Sequence, residues 1–199
     1  MYPPPHHQVD NIEKMISVIA HFPLGMMVSA KNDSVIITHI PFIYDENSKK
    51  LVAHIDKNNP HCELLKENAA VTVVFKGPDT YISPSIYASE DQLPTYNYIM
   101  VHVTGKIKRI DKAERAKETM ITMTCFLEGK KQKFVLEKNN PKMERFVNYI
   151  QAFEIEITNW EGKFKLSQDK NEQDQENAKR VIKQNSAENK AEFIESIYR

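Results

Sequence analysis

YNYIMVHVTGKIKRI, residues 96–110, is the stretch that decides the fold. It reads as one long strand, and Gly105 within it marks a bulge or a bend. Working upstream, GPDTYISPSIYASEDQLPTYNY (residues 77–98) carries Pro78, Pro84 and Pro94 and four of the eight tyrosines. Three prolines rule out a helix interior or a central strand, so this segment is expected to be an ordered loop that presents rings and hydroxyls. Before it, AVTVVF (70–75) is apolar enough to be a strand buried on both faces. MMVSA, KNDS and VIITHI form a hairpin, and LVAHI (51–55) is a further strand. Downstream, FEIEIT (153–158) alternates apolar and charged as a half-exposed antiparallel strand does. Glu161-Gly162 is read as a turn into KFKLSQ. About six short strands, grouped around two or three helices, favour a small antiparallel barrel of mainly β or α+β class over a doubly wound sheet.

The helices announce themselves by spacing. Asp10 and Glu13 resemble a capping box ahead of Ile12, Met15, Ile16 and Ile19. Asp111 and Glu114 open a second helix with an apolar stripe from Ala113 to Leu127, for which core burial is the expected explanation. Asn140 and Pro141 start a third as N-cap and first residue. Beyond Asp169 the composition turns polar and amide-rich, which predicts a barrel domain over residues 1–168 and a helical extension over residues 169–199, broken near Asn185 and Ser186.

At 199 residues the chain fits one domain with an appendage. Lysine plus arginine equals aspartate plus glutamate at 27 each, so no net field draws it to nucleic acid or to an anionic membrane. Cys62 and Cys125 lie outside any disulfide or zinc pattern. MYPPPHHQVD lacks the basic and apolar regions of a signal peptide, and no apolar run nears ~20 residues, so a soluble cytoplasmic protein is expected.

Three constellations could carry chemistry. THIPF (38–42) and HIDKNNPHCELL (54–65) place His39 and His54 near the ends of neighbouring strands, and Asn59-Pro60 starts a short helix whose N-terminus, with Lys57, Asn58 and His61 around it, suits an anion. An ordinary capped helix accounts for the same residues. All seven histidines fall within the first 102 residues, but none has metal-ligand spacing, and no metal is expected. The third constellation, KFKLSQDK (163–170), reads by itself as a surface strand. No glycine-rich phosphate loop or nucleophile elbow is present.

Together, MYPP, THIPF, HIDKNNP, FKGPDTYISPSIY, LPTYNYIMVHVTGKI and AFEIEITNWEGKFKLSQ resemble, in order, the FMN-binding negative transcriptional regulators, the group that includes the protease synthase and sporulation negative regulatory proteins. The resemblance implies a split β-barrel of the pyridoxamine-phosphate-oxidase type with flanking helices, and a homodimer holding one FMN at each of two interface sites. It implies that Lys57, Asn58, Asn59 and His61 take the flavin phosphate, and that Thr38, His39, His54 and Ile55 lie along the ribityl chain and ring. Tyr81, Ser83, Tyr87, Tyr96 and Asn97 of the proline-rich loop would stand near the isoalloxazine, and Lys165, Ser167 and Gln168 would come from the partner subunit. Ile86 and Tyr96 stand where the family usually has tryptophan, as does Cys62, and Lys57 stands where it usually has arginine.

The expected function is therefore that of an FMN-binding regulator. A flavin-dependent oxidoreductase or reductase on the same barrel, or a haem-binding variant, is the alternative. Catalytic residues are not assigned. From Asn171 onward five lysines and arginines face six acidic residues, the wrong balance for gripping a phosphate backbone, so direct nucleic-acid binding is not expected.

Overall fold

The computed structural model describes residues 1, 4–89, 91–186 and 191–198. Among these, eight strands join one sheet: β1 (Gln8–Val9), β2 (Leu24–Lys31), β3 (Ser34–Pro41), β4 (Ile43–Asp45), β5 (Lys50–Asp56), β6 (Ala70–Ile82), β7 (Thr95–Ile110) and β8 (Ile150–Lys165). Their order is β3-β2-β6-β7-β8-β5-β4, with β1 added on β8. The helices are α1 (Ile12–His21), α2 (Ala113–Glu128), α3 (Pro141–Phe146), α4 (Glu172–Gln184) and α5 (Ala191–Ile197).

Two of the strands, β6 and β8, are far longer than expected, and each length has a local cause. β8 runs straight through Glu161-Gly162 where a turn was expected. A Cβ on Gly162 would sit 2.8 Å from the Val9 carbonyl oxygen, so this glycine serves the close approach of β1 and not a change of direction. β6 likewise runs through Gly77 and Pro78, which shortens the expected loop to residues 83–94. β2 pairs with β6 only over Thr72–Val74, so the missing N–H of Pro78 lies beyond that ladder. β7 is continuous through Gly105.

The caps also shift. α1 is capped by Asn11, whose side chain accepts from the Lys14 amide, one residue later than the Asp10 box predicts. α2 begins after Lys112 with no side-chain cap.

By packing, the described chain forms two compact units. One comprises Pro23–Val74 and Val103–Asn159. Its hairpin turns at Asn32, whose φ of 53° is the left-handed conformation asparagine tolerates best after glycine. Leu51, Ala53 and Ile55 on β5 face the core with Phe42 and Phe153, whose rings meet edge-on at 6.2 Å. Val71 and Val73 of β6 are buried but Thr72 and Val74 are half-exposed, so this strand has one dry face and not two. The α2 stripe is only partly core: Ala116 and Met123 are buried, whereas Ala113 and Leu127 are exposed. Lys117 is buried instead, its ammonium paired with Glu114 at 3.0 Å and with Glu144.

The second unit comprises Met1–Phe22, Phe75–His102 and Trp160–Arg199. Here the C-terminal helices are structural members. Ala178 of α4 packs in a cluster with Ile82 and Tyr87, and the buried Phe193 of α5 lies 4.6 Å from His21 and 5.2 Å from Phe22, ring to ring. Asp174, fully buried, takes the Ala88 amide at 2.6 Å, the Ser89 hydroxyl and the Asn171 carboxamide, which ties the 83–94 loop to α4. Glu195 joins α5 to α4 through Lys179 and Lys183 at 2.9 and 2.7 Å; hydrogen bonds from Lys183 and then Lys179 hold its carboxyl down at about 2.

Candidate functional site

In the Pro23–Val74 and Val103–Asn159 unit, the strand ends and the Asn59-Pro60 step come together as expected, but they divide the residues by role. His61 is fully buried, with Nδ1 3.0 Å from Thr38 Oγ1 and Nε2 2.9 Å from Ser29 Oγ. Asn59 caps a single 3-10 turn (Pro60–Leu64), its Oδ1 accepting the His61 amide at 2.9 Å and the Thr38 hydroxyl at 3.4 Å. The Cys62 amide is taken by the Asn59 carbonyl. The first amides of this turn are thus already paired, and Thr38, Asn59 and His61 form an internal frame. Ile55 points into the core at 2 % exposure, so its side chain offers a ligand nothing.

What remains open to a ligand is His39, Lys57 and Asn58, all exposed, together with His54. Lys57 donates to the Asn148 carbonyl at 2.9 Å, and the Asn58 side chain has no partner among the described residues. His54 is half-buried on the face of β5 opposite Leu51, Ala53 and Ile55, and its Nδ1 is buried without a hydrogen-bond partner among the described residues. Such an atom costs free energy unless something meets it.

In the other unit, the proline-tyrosine loop and the end of β8 converge. Ser167 Oγ bridges Tyr87 Oη at 2.9 Å and Asn97 Nδ2 at 3.0 Å, and these three with Lys165 line a cavity of about 350 Å³. Ser83 only caps its own turn and bonds Ser85. Gln168 is spent locally, its Oε1 accepting the Leu166 amide and its Nε2 donating to the Phe164 carbonyl. Tyr81 and Tyr96 are half-exposed; Tyr96 Oη donates to Asp79 at 2.9 Å and, with Tyr98 and Met100, lines an open trough of about 480 Å³. His7, missed in the sequence, lines the first cavity and is buried; the only signal for it was its place beside the MYPP motif.

Burial pushes His54 and His61 below the ordinary histidine value of 6.5, and burial followed by the neighbouring His6 does the same for His7. A histidine held neutral in the fold takes up a proton more readily once unfolded. Its contribution to stability is therefore complete above about pH 6.5 and is lost as pH falls through the lower folded-state values. Melting temperature is expected to fall between pH 7 and pH 5, and His54→Phe is expected to flatten part of that slope. A melting temperature constant over this range would contradict it.

The antiparallel sheet with its flanking helices is a split β-barrel fold. Solved structures share the fold. A FAD and haem binding protein from Mycobacterium smegmatis superposes with a TM-score of 0.64 at 16 % identity, over 80 % of this chain and 73 % of that one. The flavocytochrome Anf3 from Azotobacter vinelandii does so with a TM-score of 0.60 at 12 % identity, over 79 % and 69 %. The chain belongs to the FMN-binding family whose model, described as "Putative FMN-binding domain", matches residues 1–159, and its cofactor is FMN. It is also 30 % identical over 177 residues to protease synthase and sporulation protein PAI 2 of Bacillus subtilis, covering 87 % of this chain and 85 % of that protein. Among the described residues no helix is long and apolar enough to cross a membrane.

The donor set fits this group. A phosphate wants a cation and neutral donors, which Lys57 and Asn58 supply, and the unpartnered His54 Nδ1 offers a further polar contact.

Proposed function

We propose that the protein is a flavin-linked negative regulator of transcription that binds FMN as a homodimer and acts through a protein partner. Its own residues bind the flavin by its phosphate end: Lys57 and Asn58 hold the phosphate, His54 faces the ligand, and the Thr38–Asn59–His61 frame keeps the turn beneath them rigid. FMN supplies reversible redox chemistry when bound, which would let a regulator report the state of the cell. The observation that carries the reading is the buried His54 Nδ1 without a partner. Support for the regulatory part comes from the ordered motifs that resemble the FMN-binding negative transcriptional regulators and from the similarity to protease synthase and sporulation protein PAI 2 along most of both chains. A homodimer with flavin at its interface belongs to the same reading, and the half-exposed rings of Tyr81 and Tyr96 are the aromatic faces it would use.

Flavin fluorescence titration tests it. Lys57→Ala with His54→Ala is expected to raise the Kd for FMN by at least tenfold, whereas Lys57→Ala should leave riboflavin, which lacks the phosphate, within about twofold. Unchanged FMN affinity in the double variant would overturn the assignment. For regulation, the double variant should fail to restore transcript levels in cells lacking the protein. Full restoration would separate regulation from the flavin.

A further inference from the structure

The segment between α2 and α3 carries the uneven part of this neutral chain's charge. Residues 129–142 hold five lysines against one glutamate, so the surface they form is positive. Lys138 is paired, with Glu114 at 3.0 Å and Glu118 at 3.6 Å on α2. Lys130, Lys131, Lys133 and Lys142 are exposed and have no carboxylate partner among the described residues. Like charges this close in sequence repel one another, and an anionic neighbour relieves them.

The segment is fixed in place. Glu128, at the end of α2, accepts the amides of Lys133 and Phe134 at 3.0 and 3.3 Å, and Gln132 Nε2 donates to the Phe134 carbonyl at 3.1 Å. Those bonds fold the chain back at the helix end. The Lys138 pairs then fasten it beside the first half of α2, so residues 132–138 run back along the helix as a strap. Phe134 and Val135 on the strap and Leu127 on the last turn of α2 are each at least half exposed. Leu127 precedes the glutamate that grips the Phe134 amide, so both lie at the same end of the helix. Single exposed apolar residues are ordinary, but three around one turn with lysines about them have the anatomy of an interaction surface, an apolar centre inside a charged rim.

We propose that this strap docks an acidic segment of a partner protein. An aromatic or aliphatic side chain of that segment sits on Leu127, Phe134 and Val135, and its carboxylates meet Lys130, Lys131 and Lys133. The proposal rests on the reading above in which the protein acts through a protein partner. Two features favour a peptide over other polyanions. Glu137, exposed between Val135 and Lys138 in the sequence, repels a nucleic-acid backbone or an anionic membrane, whereas a peptide can turn a neutral residue towards it. Leu127 and Val135 are aliphatic and give a base no ring to stack on, yet a peptide side chain laid over them removes apolar surface from water. The lysines set the rate and salt dependence of association, and the apolar centre sets its lifetime.

The test uses the FMN-loaded protein and a rhodamine-labelled peptide of about twelve residues, roughly half of them glutamate, with one leucine and one phenylalanine, read by fluorescence anisotropy. Binding is expected at about 100 μM or tighter in about 50 mM salt, and at least fivefold weaker in about 300 mM salt. A peptide with serine in place of the leucine and phenylalanine should bind at least fivefold more weakly. Lys130→Glu combined with Lys131→Glu and Lys133→Glu should weaken binding at least tenfold, and Phe134→Ser should erase the preference for the apolar peptide. All four side chains are exposed, and unchanged FMN affinity checks that these variants are folded. The proposal is overturned if the peptide does not bind or if the triple variant binds it as the unaltered protein does. It is also overturned if a DNA duplex of about 20 base pairs or a phosphatidylserine vesicle binds more tightly than the peptide and loses that affinity in the triple variant, which would give the strap to that polyanion. In cells lacking the protein, the triple variant is expected to hold FMN but not to restore transcript levels. Full restoration by a variant that no longer binds the peptide overturns the proposal and leaves the flavin reading standing. If the unaltered protein itself leaves transcripts unchanged, the regulatory reading falls and the peptide titration alone decides the strap.

Discussion

Gly105→Ala is expected to cost about 3 kcal/mol or more of folding stability, a large part of the 5–15 kcal/mol typical of a domain. A Cβ at this position would lie 2.4 Å from the Glu156 carbonyl oxygen and 2.5 Å from Ile155 Cγ2. The oxygen belongs to backbone on the neighbouring strand and cannot rotate away. β7 and β8 would have to separate where Val103, Ile107 and Ile155 are all buried, so the ladder and the core are strained together. Gly129→Ala is the matched control. Gly129 has φ of 65° at the end of α2, but a Cβ there would meet nothing within 4 Å. Its cost is only the backbone conformation, about 1–3 kcal/mol because ψ of −158° with this φ is a region kept essentially for glycine, and fraying of the exposed helix end can relieve some of it. Urea unfolding should show a much lower midpoint for Gly105→Ala than for Gly129→Ala. Equal midpoints would mean that the strands can part without penalty and that the close approach is unimportant.

His61→Ala is expected to cost about 3 kcal/mol and to weaken FMN binding without touching the ligand. Truncation leaves the half-buried Thr38 Oγ1 and Ser29 Oγ without their imidazole partner, each worth roughly 1 kcal/mol. It also opens a void at a fully buried site. The Asn59 turn then loses its anchor, and Lys57 and Asn58 lose their fixed placement. A combined Ser29→Ala and Thr38→Val change in the His61→Ala background removes the stranded hydroxyls and should recover part of the stability but little of the FMN affinity. Recovery of both to the same degree would show that His61 acts through stability alone.

Why was His61 readable as present but not as inward-facing? Its neighbours in sequence, Lys57, Asn58 and Asn59, are polar, and a short capped turn carries no periodicity that tells one side from the other. His39, by contrast, lies on an alternating strand and is exposed, yet the sequence offered both histidines equally as site residues. The glycines and prolines show the same gap. Gly162 and Pro78 have the composition of a turn, and both lie inside strands because of what a remote segment does: Val9 approaches one, and the β2 ladder stops before the other.

The family, the hairpin at Asn32, the one-faced strand FEIEIT and the helices at Ile12, Pro141 and Glu172 were legible because each depends on residues within a few positions of one another. Alternation, capping and turn chemistry are local properties of the chain. The FMN family was legible through ordered motifs for the same reason. Which polar groups end up paired was not. Ser167 meets Asn97 across 70 residues and Tyr87 across 80, and His61 meets Ser29 across 32. Only folding brings those atoms within hydrogen-bond reach, and only then does it become visible that the Nδ1 atoms of His7 and His54 and the Oδ1 of Asn97 are buried without a hydrogen-bond partner among the described residues.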